Sequence, residues 1–308
     1  MYLNFIAQFV SPGVGKMTDV LCVGHAVFDI TMNLDHHPAE DEKCFAHGMI
    51  SCGGGPAANA SVTIARLGGT AAIAAYLGND FGGDTHFREL QEAGVKTDYI
   101  FRGDGPTPVS AILVKPDGSR TVINYKEDTP RLPDDASHIR VDEFKAVLLD
   151  GHEPLISRTI VKRARELHIP TVLDAGSLHR GTEELGGKVD YLVAAHKFAS
   201  QYTGKEIAEE ALSEMGDMAP WVVITLGEKG LIWQSGKETG FMKAFQIDAA
   251  DTTGAGDVFH GCFALGVARK INFQENLRRA SAAAALSCTR LGARTGIPTF
   301  GDLDAFLK

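Results

Sequence analysis

A short glycine-rich stretch towards the end of the chain has the residue types of a phosphoryl-transfer site. Asp251-Thr252-Thr253-Gly254-Ala255-Gly256-Asp257 joins a mixed, strand-like segment, 240–249, to a run with the apolar spacing of a helix. Glycines let backbone N–H groups approach an oxyanion, and the first helical turn adds free donors and the positive end of its dipole. Bound phosphate would repel Asp257 unless that carboxylate takes up a proton there, so the pattern indicates phosphoryl transfer to an alcohol. The alternative is a capped loop in which Asp257 stabilises the helix dipole.

A second glycine-rich segment could hold the alcohol. Gly53-Gly54-Gly55-Pro56 opens a predicted helix over 57–67, and Asn59, one turn in, can donate and accept hydrogen bonds at once. Upstream, Val20–Gly24 has the composition of a buried parallel strand, and Asp29 follows just beyond its end. Ligands gather at the carboxyl edge of open α/β sheets, so Asp29 is a candidate substrate contact, with a turn-forming aspartate as the alternative.

The composition narrows the class of protein. The 308-residue chain has 44% hydrophobic residues, enough for a large core, and a net charge of −9. This acidic balance, without a basic block, argues against general nucleic-acid binding or attachment to an anionic membrane. Five cysteines are scattered without metal-binding spacing, as is typical of reduced thiols in a cytosolic protein, and no apolar run is long enough to span a bilayer. Residues 1–17 lack the features of a signal peptide, so we expect a flexible extension before a single domain over 18–308.

Two kinds of element must position these groups. In the second half of the chain, apolar strands alternate with helices, including one predicted over Lys205–Met215, which favours one sheet covered on both faces. The polar region 30–52 and a hairpin within 108–126 indicate a separate small sheet. Placed over the carboxyl edge of the main sheet, it would act as a lid, with Arg120 and Asn124 either contacting substrate or solvated. The predicted fold class is α/β: one sheet with helices on both faces and a small β-sheet lid.

Both glycine-rich segments match a known family. Gly53-Gly54-Gly55-Pro56-Ala57-Ala58-Asn59, and Asp251–Asp257 followed by Val258-Phe259-His260-Gly261, resemble the two signatures of the PfkB, or ribokinase-like, carbohydrate kinases. The second signature is highly specific, the order and spacing of the pair agree, and the resemblance covers about residues 19–308. Within the family the chain most resembles the sulfofructose kinase and ketohexokinase branches, and its segments Cys288-Thr289-Arg290 and Gly296-Ile297-Pro298 are close to the former.

The resemblance implies an α/β fold that is a Rossmann-like three-layer αβα sandwich with a small β-sheet lid. It also implies a role for each matching position. Asp257 is similar to the catalytic base, and Gly254, Ala255 and Gly256 are similar to the anion hole for the transferred phosphoryl group. The other implied positions form a substrate-binding group, a nucleotide-binding group and a monovalent-cation site made mostly of backbone carbonyls. The implied substrate-binding positions are Asp29, Gly55 and Asn59, to which we add Lys43, Gly54 and Asn124 as candidates. The implied nucleotide-binding positions are Thr225, Gly227 and Gly230, to which we add Lys197. The cation group is Asp251, Thr253, Arg290, Gly292 and Gly296.

Two positions depart from the family pattern. Many relatives carry an Asn-x-x-Glu motif, associated with Mg²⁺ and phosphate, where this chain has Ala195-His196-Lys197-Phe198. We therefore expect Mg²⁺ to be held through water and the ATP phosphates, with Lys197 supplying charge. The sulfofructose branch tends to place a basic residue for the sulfonate near the position of His152 in this chain. His152 weakens the prediction of a sulfonated substrate, whereas Lys43 and Asn124 keep that substrate open.

The function expected from these features is ATP-dependent phosphorylation of a hydroxymethyl group on a furanose-type sugar, fructose-like or sulfofructose-like. The expected cofactors are ATP and Mg²⁺, with K⁺ as the candidate monovalent cation. The expected partners are the sugar and ATP, without nucleic acid or membrane, in a homodimer formed through the lid. A nucleoside kinase on the same scaffold and a non-catalytic sugar-binding regulator are the alternatives.

Overall fold

The computed structural model describes residues 17–116 and 119–308, and residues 1–16 of the predicted extension lie outside these ranges. The described strands form one large sheet and one small sheet. The strands are β1 (Thr18–Val23), β2 (Val27–Asn33), β3 (Gly48–Gly54), β4 (Ala71–Gly78), β5 (Lys96–Gly103), β6 (Val109–Val114), β7 (Arg120–Tyr125), β8 (Phe144–Leu149), β9 (Thr171–Ala175), β10 (Tyr191–Ala195), β11 (Trp221–Thr225), β12 (Leu231–Ser235) and β13 (Glu238–Met242).

The large sheet has the strand order β13-β12-β11-β10-β9-β8-β1-β4-β5. Strands β11 to β5 run parallel, and β12 and β13 extend the β11 edge in antiparallel pairing. Inner strands are continuous apolar runs such as Val20–Val23, as parallel strands covered on both faces require. The chain leaves β1 towards β4 and returns to β8 on the other side. The carboxyl ends of β1 and β8 therefore flank the crevice where such sheets bind ligands.

Helices cover both faces of the large sheet. They are α1 (Pro56–Arg66), α2 (Phe81–Glu92), α3 (Pro154–Glu166), α4 (Arg180–Gly186), α5 (His196–Thr203), α6 (Ala208–Met215), α7 (Ala255–Ala268), α8 (Phe273–Ser287) and α9 (Phe300–Leu307). One core cluster packs α1, α2, α7, α8 and α9 on one face, and a second packs α3 to α6 on the other. The predicted αβα sandwich is confirmed. In the described ranges, every helix is too short or too polar to cross a membrane.

The small sheet is the predicted lid, with the strand order β3-β2-β6-β7. It consists of two hairpins, β2–β3 and β6–β7, which meet through parallel pairing of β2 with β6. Asp29 lies opposite Ser110, and Ser110 lies opposite Asn124. Cross-strand neighbours point to the same face, so these three side chains form a row across the lid, which we call the Asp29 row.

The structure differs from the sequence-based expectations at three elements. Asp29 does not follow the first strand at the sheet edge, because β1 ends at Val23 and Asp29 lies inside β2 of the lid. The helix predicted over Lys205–Met215 begins only at Ala208, since the chain must first leave α5 through Gly204, whose φ is 69°. Strand β5 has no predicted counterpart, because its mixed polar and apolar residues form a half-exposed edge rather than a buried run.

Candidate active site

The Asp251–Asp257 loop leads into α7, with Gly254 as the N-cap of the helix. Gly254 has a φ of 76°, and a Cβ there would lie 2.9 Å from the Cβ of Ala293, so this position requires glycine. At Gly256 a Cβ would meet no atom within 4 Å, so this side of the helix N-terminus is open. The first-turn N–H groups and the helix dipole therefore border a space that can hold an anion.

Asp257, in the first turn of α7, is hydrogen-bonded to α1. Asn59 Nδ2 donates to Asp257 Oδ2 at 2.8 Å, and Arg294 Nε donates to Asn59 Oδ1 at 3.1 Å. Arg294 also forms a 2.9 Å ion pair with Glu89 of α2, and its Nη2 donates to His86 Nε2 at 2.6 Å. Because a guanidinium can only donate, Arg294 fixes the Asn59 amide with its NH₂ group towards Asp257.

The lid supplies a second carboxylate to the same cleft. Asp29 is buried, and the Ser110 hydroxyl lies between it and Asn124, 2.8 Å from Asn124 Oδ1. A Cβ at Gly54 would lie 1.9 Å from Asp29 Oδ2, and Gly55 has a φ of 97°, which glycine favours. The two glycines therefore let the Asp29 carboxylate lie against the backbone that opens α1.

Burial raises the pKa of both carboxyl groups. The pKa of Asp257 is raised to about 7, chiefly by burial and next by the Asp174 carboxylate. The pKa of Asp29 is raised to about 6 because burial outweighs the favourable charge of Arg294. A carboxyl group with a pKa near neutrality suits general-base catalysis, so Asp257 has both the position and the proton affinity of a base.

A cavity of about 230 Å³ lies between the lid and the large sheet. Lys126, directly after β7, donates to His152 Nδ1 at 3.2 Å, so this ring is neutral with its proton on Nε2. Arg131 also lines the cavity, and among the described residues neither Lys126 nor Arg131 has a carboxylate within 4.0 Å. Two cationic side chains, each more than 4.0 Å from every carboxylate that the structure describes, thus line this cavity together with Glu127 and Glu153.

Asp150 connects the cavity to the start of α1. Its carboxylate accepts backbone N–H groups of His25 at 2.7 Å, Ala57 at 3.2 Å and His152 at 2.9 Å. These three N–H donors stabilise the negative charge of the Asp150 carboxylate. Another acid of the cavity wall, Glu153, accepts a backbone N–H, and burial raises its pKa to about 7. The cavity therefore adjoins the helix that carries Asn59.

Comparison with known proteins identifies the family. Residues 17–300 match the family described as pfkB family carbohydrate kinase. The chain belongs to the PfkB family. It is 25% identical over 296 residues to a ribokinase of Lactococcus lactis, covering 95% of this chain and 98% of the relative. It is 28% identical over 297 residues to an ATP-dependent ribose-1-phosphate kinase of Halopiger xanaduensis, covering 95% and 99%.

A solved structure extends the likeness to three dimensions. Arabidopsis thaliana ribokinase complexed with ribose and ATP superposes with a TM-score of 0.85 at 26% identity, covering 95% of this chain and 99% of that chain. The predicted enzyme class is therefore confirmed: the protein is an ATP-dependent kinase of the PfkB family, which acts on sugars or nucleosides.

The expected nucleotide positions of this PfkB-family kinase surround the carboxyl end of β11. Thr225 ends that strand, and Gly227 and Gly230, with φ of 59° and 110°, flank a short 3₁₀ turn before β12. Lys197 is exposed in the first turn of α5. These residues lie in the turns at the carboxyl ends of β10 and β11.

The turn after β10 does not fit a directly bound Mg²⁺. Ala195 ends β10, and Phe198 is fully buried in the core cluster under α5. Neither side chain offers the oxygen ligand that Mg²⁺ prefers. Where the Asn-x-x-Glu motif is expected, this PfkB-family kinase therefore has an alanine and a phenylalanine of the hydrophobic core, neither of which can bind a metal ion through its side chain.

Asp251 joins the two loops expected to hold a monovalent cation. Its Oδ1 accepts from the N–H of Thr253 and its Oδ2 from the N–H of Gly292, both at 2.8 Å. Arg290 is exposed, and Gly296 N donates to the Gly292 carbonyl at 3.4 Å. In the parts of the chain that the structure describes, no cluster of three or more His, Cys, Asp or Glu is arranged for a metal ion. Direct ligation of K⁺ here would fall to backbone carbonyls.

The structure brings some sequence-predicted residues together and leaves others apart. Asn59 and Asp257 are hydrogen-bonded to each other, and Asp29 lies against the backbone that opens α1, the helix of Asn59. Arg120 Nη1 donates to Thr252 Oγ1 at 3.1 Å, so the lid also reaches the anion-binding loop. Lys43 instead lies exposed on the lid loop after β2, 5.7 Å from the centre of the Phe45 ring.

Sequence reasoning missed the residues that orient Asn59. Arg294 lies in a glycine-containing segment between two expected cation positions, and Glu89 lies on a helix read only as a structural element. The available signal was an arginine between two glycines of this loop, which predicts no partner by itself.

Proposed function

We propose that this kinase transfers the γ-phosphoryl group of ATP to a hydroxymethyl group of a furanose-type sugar. The observation that carries the proposal is the 2.8 Å hydrogen bond between Asn59 and Asp257 at the anion-binding end of α7. It supports a base, a hydroxyl-orienting amide and a phosphoryl site within one cleft. Asp29 and Asn59 orient the sugar so that its hydroxyl points at Asp257, and such positioning lowers the barrier by restricting motion.

The proposed chemistry needs one proton acceptor. The sugar oxygen attacks the γ-phosphorus in line, its proton passes to Asp257, and the bond to the bridging oxygen breaks so that ADP leaves with the electron pair. The N–H groups of residues 254–256 and the dipole of α7 stabilise charge on the phosphoryl oxygens. The lid, in contact with the loop through Arg120, excludes water.

The ligand atoms that the protein offers near the site determine how we expect Mg²⁺ and K⁺ to be held. Mg²⁺ neutralises the ATP phosphates when bound, and we expect it to be held by those phosphates and by water, since the turn at Ala195–Phe198 offers no ligand. We retain K⁺ at the backbone carbonyls of the Asp251 and Gly292 loops as part of the proposal. Activity in K⁺ compared with tetramethylammonium tests this site, because the larger cation cannot be ligated by carbonyls.

The proposed acceptor carries an anionic group, which favours a sulfofructose-like or phosphorylated sugar over a neutral one. The support is the cavity beside α1, where Lys126 hydrogen-bonds to a neutral imidazole and Arg131 has no close carboxylate among the described residues. The acids on its wall weaken this positive character, since Glu127 is exposed there. The pKa of Glu153 is raised to about 7 by burial, however, and it is partly protonated near neutral pH.

A panel of matched acceptors tests the proposal. ADP formation is measured with fructose and sulfofructose, with ribose and ribose 1-phosphate, and with nucleosides. We expect turnover with furanose sugars and a higher kcat/KM for the charged member of each pair. A higher kcat/KM for neutral ribose would remove the anionic preference, and efficient turnover of nucleosides alone would replace the sugar with a nucleoside.

We further propose that the kinase is a homodimer formed through the lid. On the lid face opposite the Asp29 row, Met49, Ile123 and Tyr125 are 66%, 59% and 48% exposed. Several large apolar side chains on one exposed sheet face are typical of an interface. A second copy of the lid offers the same apolar surface, which a two-fold interface requires.

A further inference from the structure

His260 is a buried histidine of α7 to which the proposed mechanism gives no role. It is 3% exposed and lies one turn after Asp257. Its Nδ1 is 2.6 Å from the carbonyl oxygen of Gly256, and its Nε2 is 3.1 Å from the carbonyl oxygen of Val193. The ring therefore connects the first turn of α7, which carries the anion hole, to strand β10.

Asp174 is the acidic partner of this ring. It lies near the end of β9, is buried, and places Oδ2 3.1 Å from His260 Nδ1. Both ring nitrogens thus face oxygens, and the two carbonyls among them can only accept. A neutral imidazole has one N–H, so the geometry calls for a second proton, which the ring and the Asp174 carboxyl group share. The pair is then neutral as a whole, which removes the cost of an isolated buried charge.

Asp257 lies within the field of this pair. The charged groups that face it are Asp174 from β9, His260 from α7, Asp150 from the end of β8 and Arg294 from the loop before α9. Asp174 and Asp150 raise the pKa of Asp257, while His260 lowers it. Removing one member of the pair therefore changes the proton affinity of Asp257 in a direction that depends on which member is removed.

We propose that His260 and Asp174 are a positioning pair for phosphoryl transfer, which holds the first turn of α7 in place and sets the strength of Asp257 as a base. The inference rests on the proposed role of Asp257. Neither member touches the reacting atoms. The pair acts through the backbone of Gly256 and through the charge that Asp257 experiences.

The test compares Asp174→Asn with His260→Asn in the full-length kinase. The readout is the pH dependence of kcat/KM for the best sugar of the acceptor panel, together with the melting temperature. For the wild type we expect kcat/KM to fall on the acidic side of the profile, and this acidic limb should lie near the pKa of about 7 of Asp257. In Asp174→Asn the limb should move to lower pH, and in His260→Asn to higher pH, each by about one unit. Both variants should lower kcat more than they change the KM for ATP.

Cys262→Ala is the matched control, since it removes a buried side chain of the same helix outside the site. It should lower the melting temperature without moving the pH limb. Limbs that stay in place, or that move in the same direction in both variants, would reduce the pair to a structural role. If His260→Asn fails to fold, Asp174→Asn decides alone: a limb unchanged or moved to higher pH overturns the proposal. A wild type without sugar-dependent ADP formation would instead reject the proposed function.

Discussion

Asp257 combines a hydrogen bond from Asn59 with a raised proton affinity, and its replacement by asparagine separates chemistry from binding. The substitution keeps the shape of the side chain but removes the proton acceptor, so kcat should fall by about 10²–10⁴-fold. ATP affinity should stay near the wild-type value, because the anion site is made of backbone N–H groups. Steady-state turnover and calorimetric titration with ATP measure the two quantities. Asp248→Asn, an exposed acid in the preceding segment, is the control. Wild-type turnover of Asp257→Asn would exclude it as the base.

Arg294 contacts Asn59 and Glu89 and is expected to act on the proposed sugar site through Asn59. Arg294→Met keeps the length of the side chain but frees the Asn59 amide and leaves Glu89 unpaired, so the KM for sugar should rise more than the KM for ATP. The free energy of unfolding should fall by about 2 kcal/mol, less than for a fully buried pair because Glu89 keeps 29% side-chain exposure. Kinetics and urea unfolding check both effects. The exposed pair at Arg278 and Glu275 provides a control in Arg278→Met, which should leave the sugar KM unchanged.

The residues predicted from sequence are those whose chemistry is local. Asp257 follows its glycines directly, and Asn59 follows another glycine-rich segment by one turn, so a short window identifies both. Arg294 meets Asn59 only because α1 and the loop after α8 converge in space. The apolar sequence around His260 does not indicate its polar contacts. Its partners are Asp174 and two backbone carbonyls, which belong to other strands or to the helix backbone. Such contacts depend on tertiary structure and leave no local signal.

At the scale of elements, Lys126 connects the end of lid strand β7 to His152 after β8. Lys126→Met should raise the KM for a sulfonated or phosphorylated sugar at least about tenfold, through the loss of a charge-assisted contact, and should change the KM for the neutral counterpart much less. Initial rates with fructose and sulfofructose give the comparison. Lys237→Met, in the exposed turn between β12 and β13, is the matched control. Equal effects on both sugars would mean that Lys126 only holds the lid.

The predicted elements were most reliable where burial dictates composition. Apolar runs such as Val20–Val23 define the inner strands of the large sheet, because both faces of a parallel sheet are covered. The lid strands are half-exposed, so Asp29 reads equally well as a turn or as a strand residue, and only the pairing of β2 with β6 places it. The sequence also does not indicate edge strand β5 or the break between α5 and α6. Strand β5 is half-exposed, so its composition is mixed, and α5 ends at Gly204.

For the whole molecule, the lid face bearing Ile123 predicts an oligomeric state. We expect sedimentation velocity of the wild type to give a dimer. Ile123→Asp should shift it to the monomer, because burying an unpaired carboxylate in an apolar interface is costly. Val122→Asp, on the neighbouring residue that points to the other face of β7, should leave the dimer intact. A wild type that sediments as a monomer would exclude the lid interface.

Buried ionisable groups predict the pH dependence of stability. The pKa values of Asp257 and Asp174 are raised to about 7 and about 8, so the folded state binds protons that the unfolded state has already lost. Stability from these acids is therefore gained as pH falls from about 8 towards 6. The pKa values of His25 and His179 are lowered to about 3 and about 4, so below about pH 6.5, where unfolded histidines become protonated, these two residues offset the further gain from the carboxyl groups.

Urea unfolding of the ligand-free protein should give a free energy of unfolding that rises as pH falls from about 8 to 6 and levels off below about pH 6. Asp257→Asn should be more stable than the wild type at about pH 8, because it removes a carboxylate whose ionisation opposes folding. A stability that rises steadily from about pH 6 to 8 would contradict the assignment of raised carboxyl pKa values.

The parallel pairing of β2 with β6 also bears on the order in which the molecule folds. Each lid hairpin is local, but the two hairpins are separated in the chain by α1, β4, α2 and β5. Closing so long a loop is entropically expensive until β4 has paired with β1 and α2 has packed on β4, which shortens the effective distance. We therefore expect the Asp29 row, which needs both hairpins, to assemble after the main sheet. The proposed sugar contact at Asp29 would then form only on a correctly folded core.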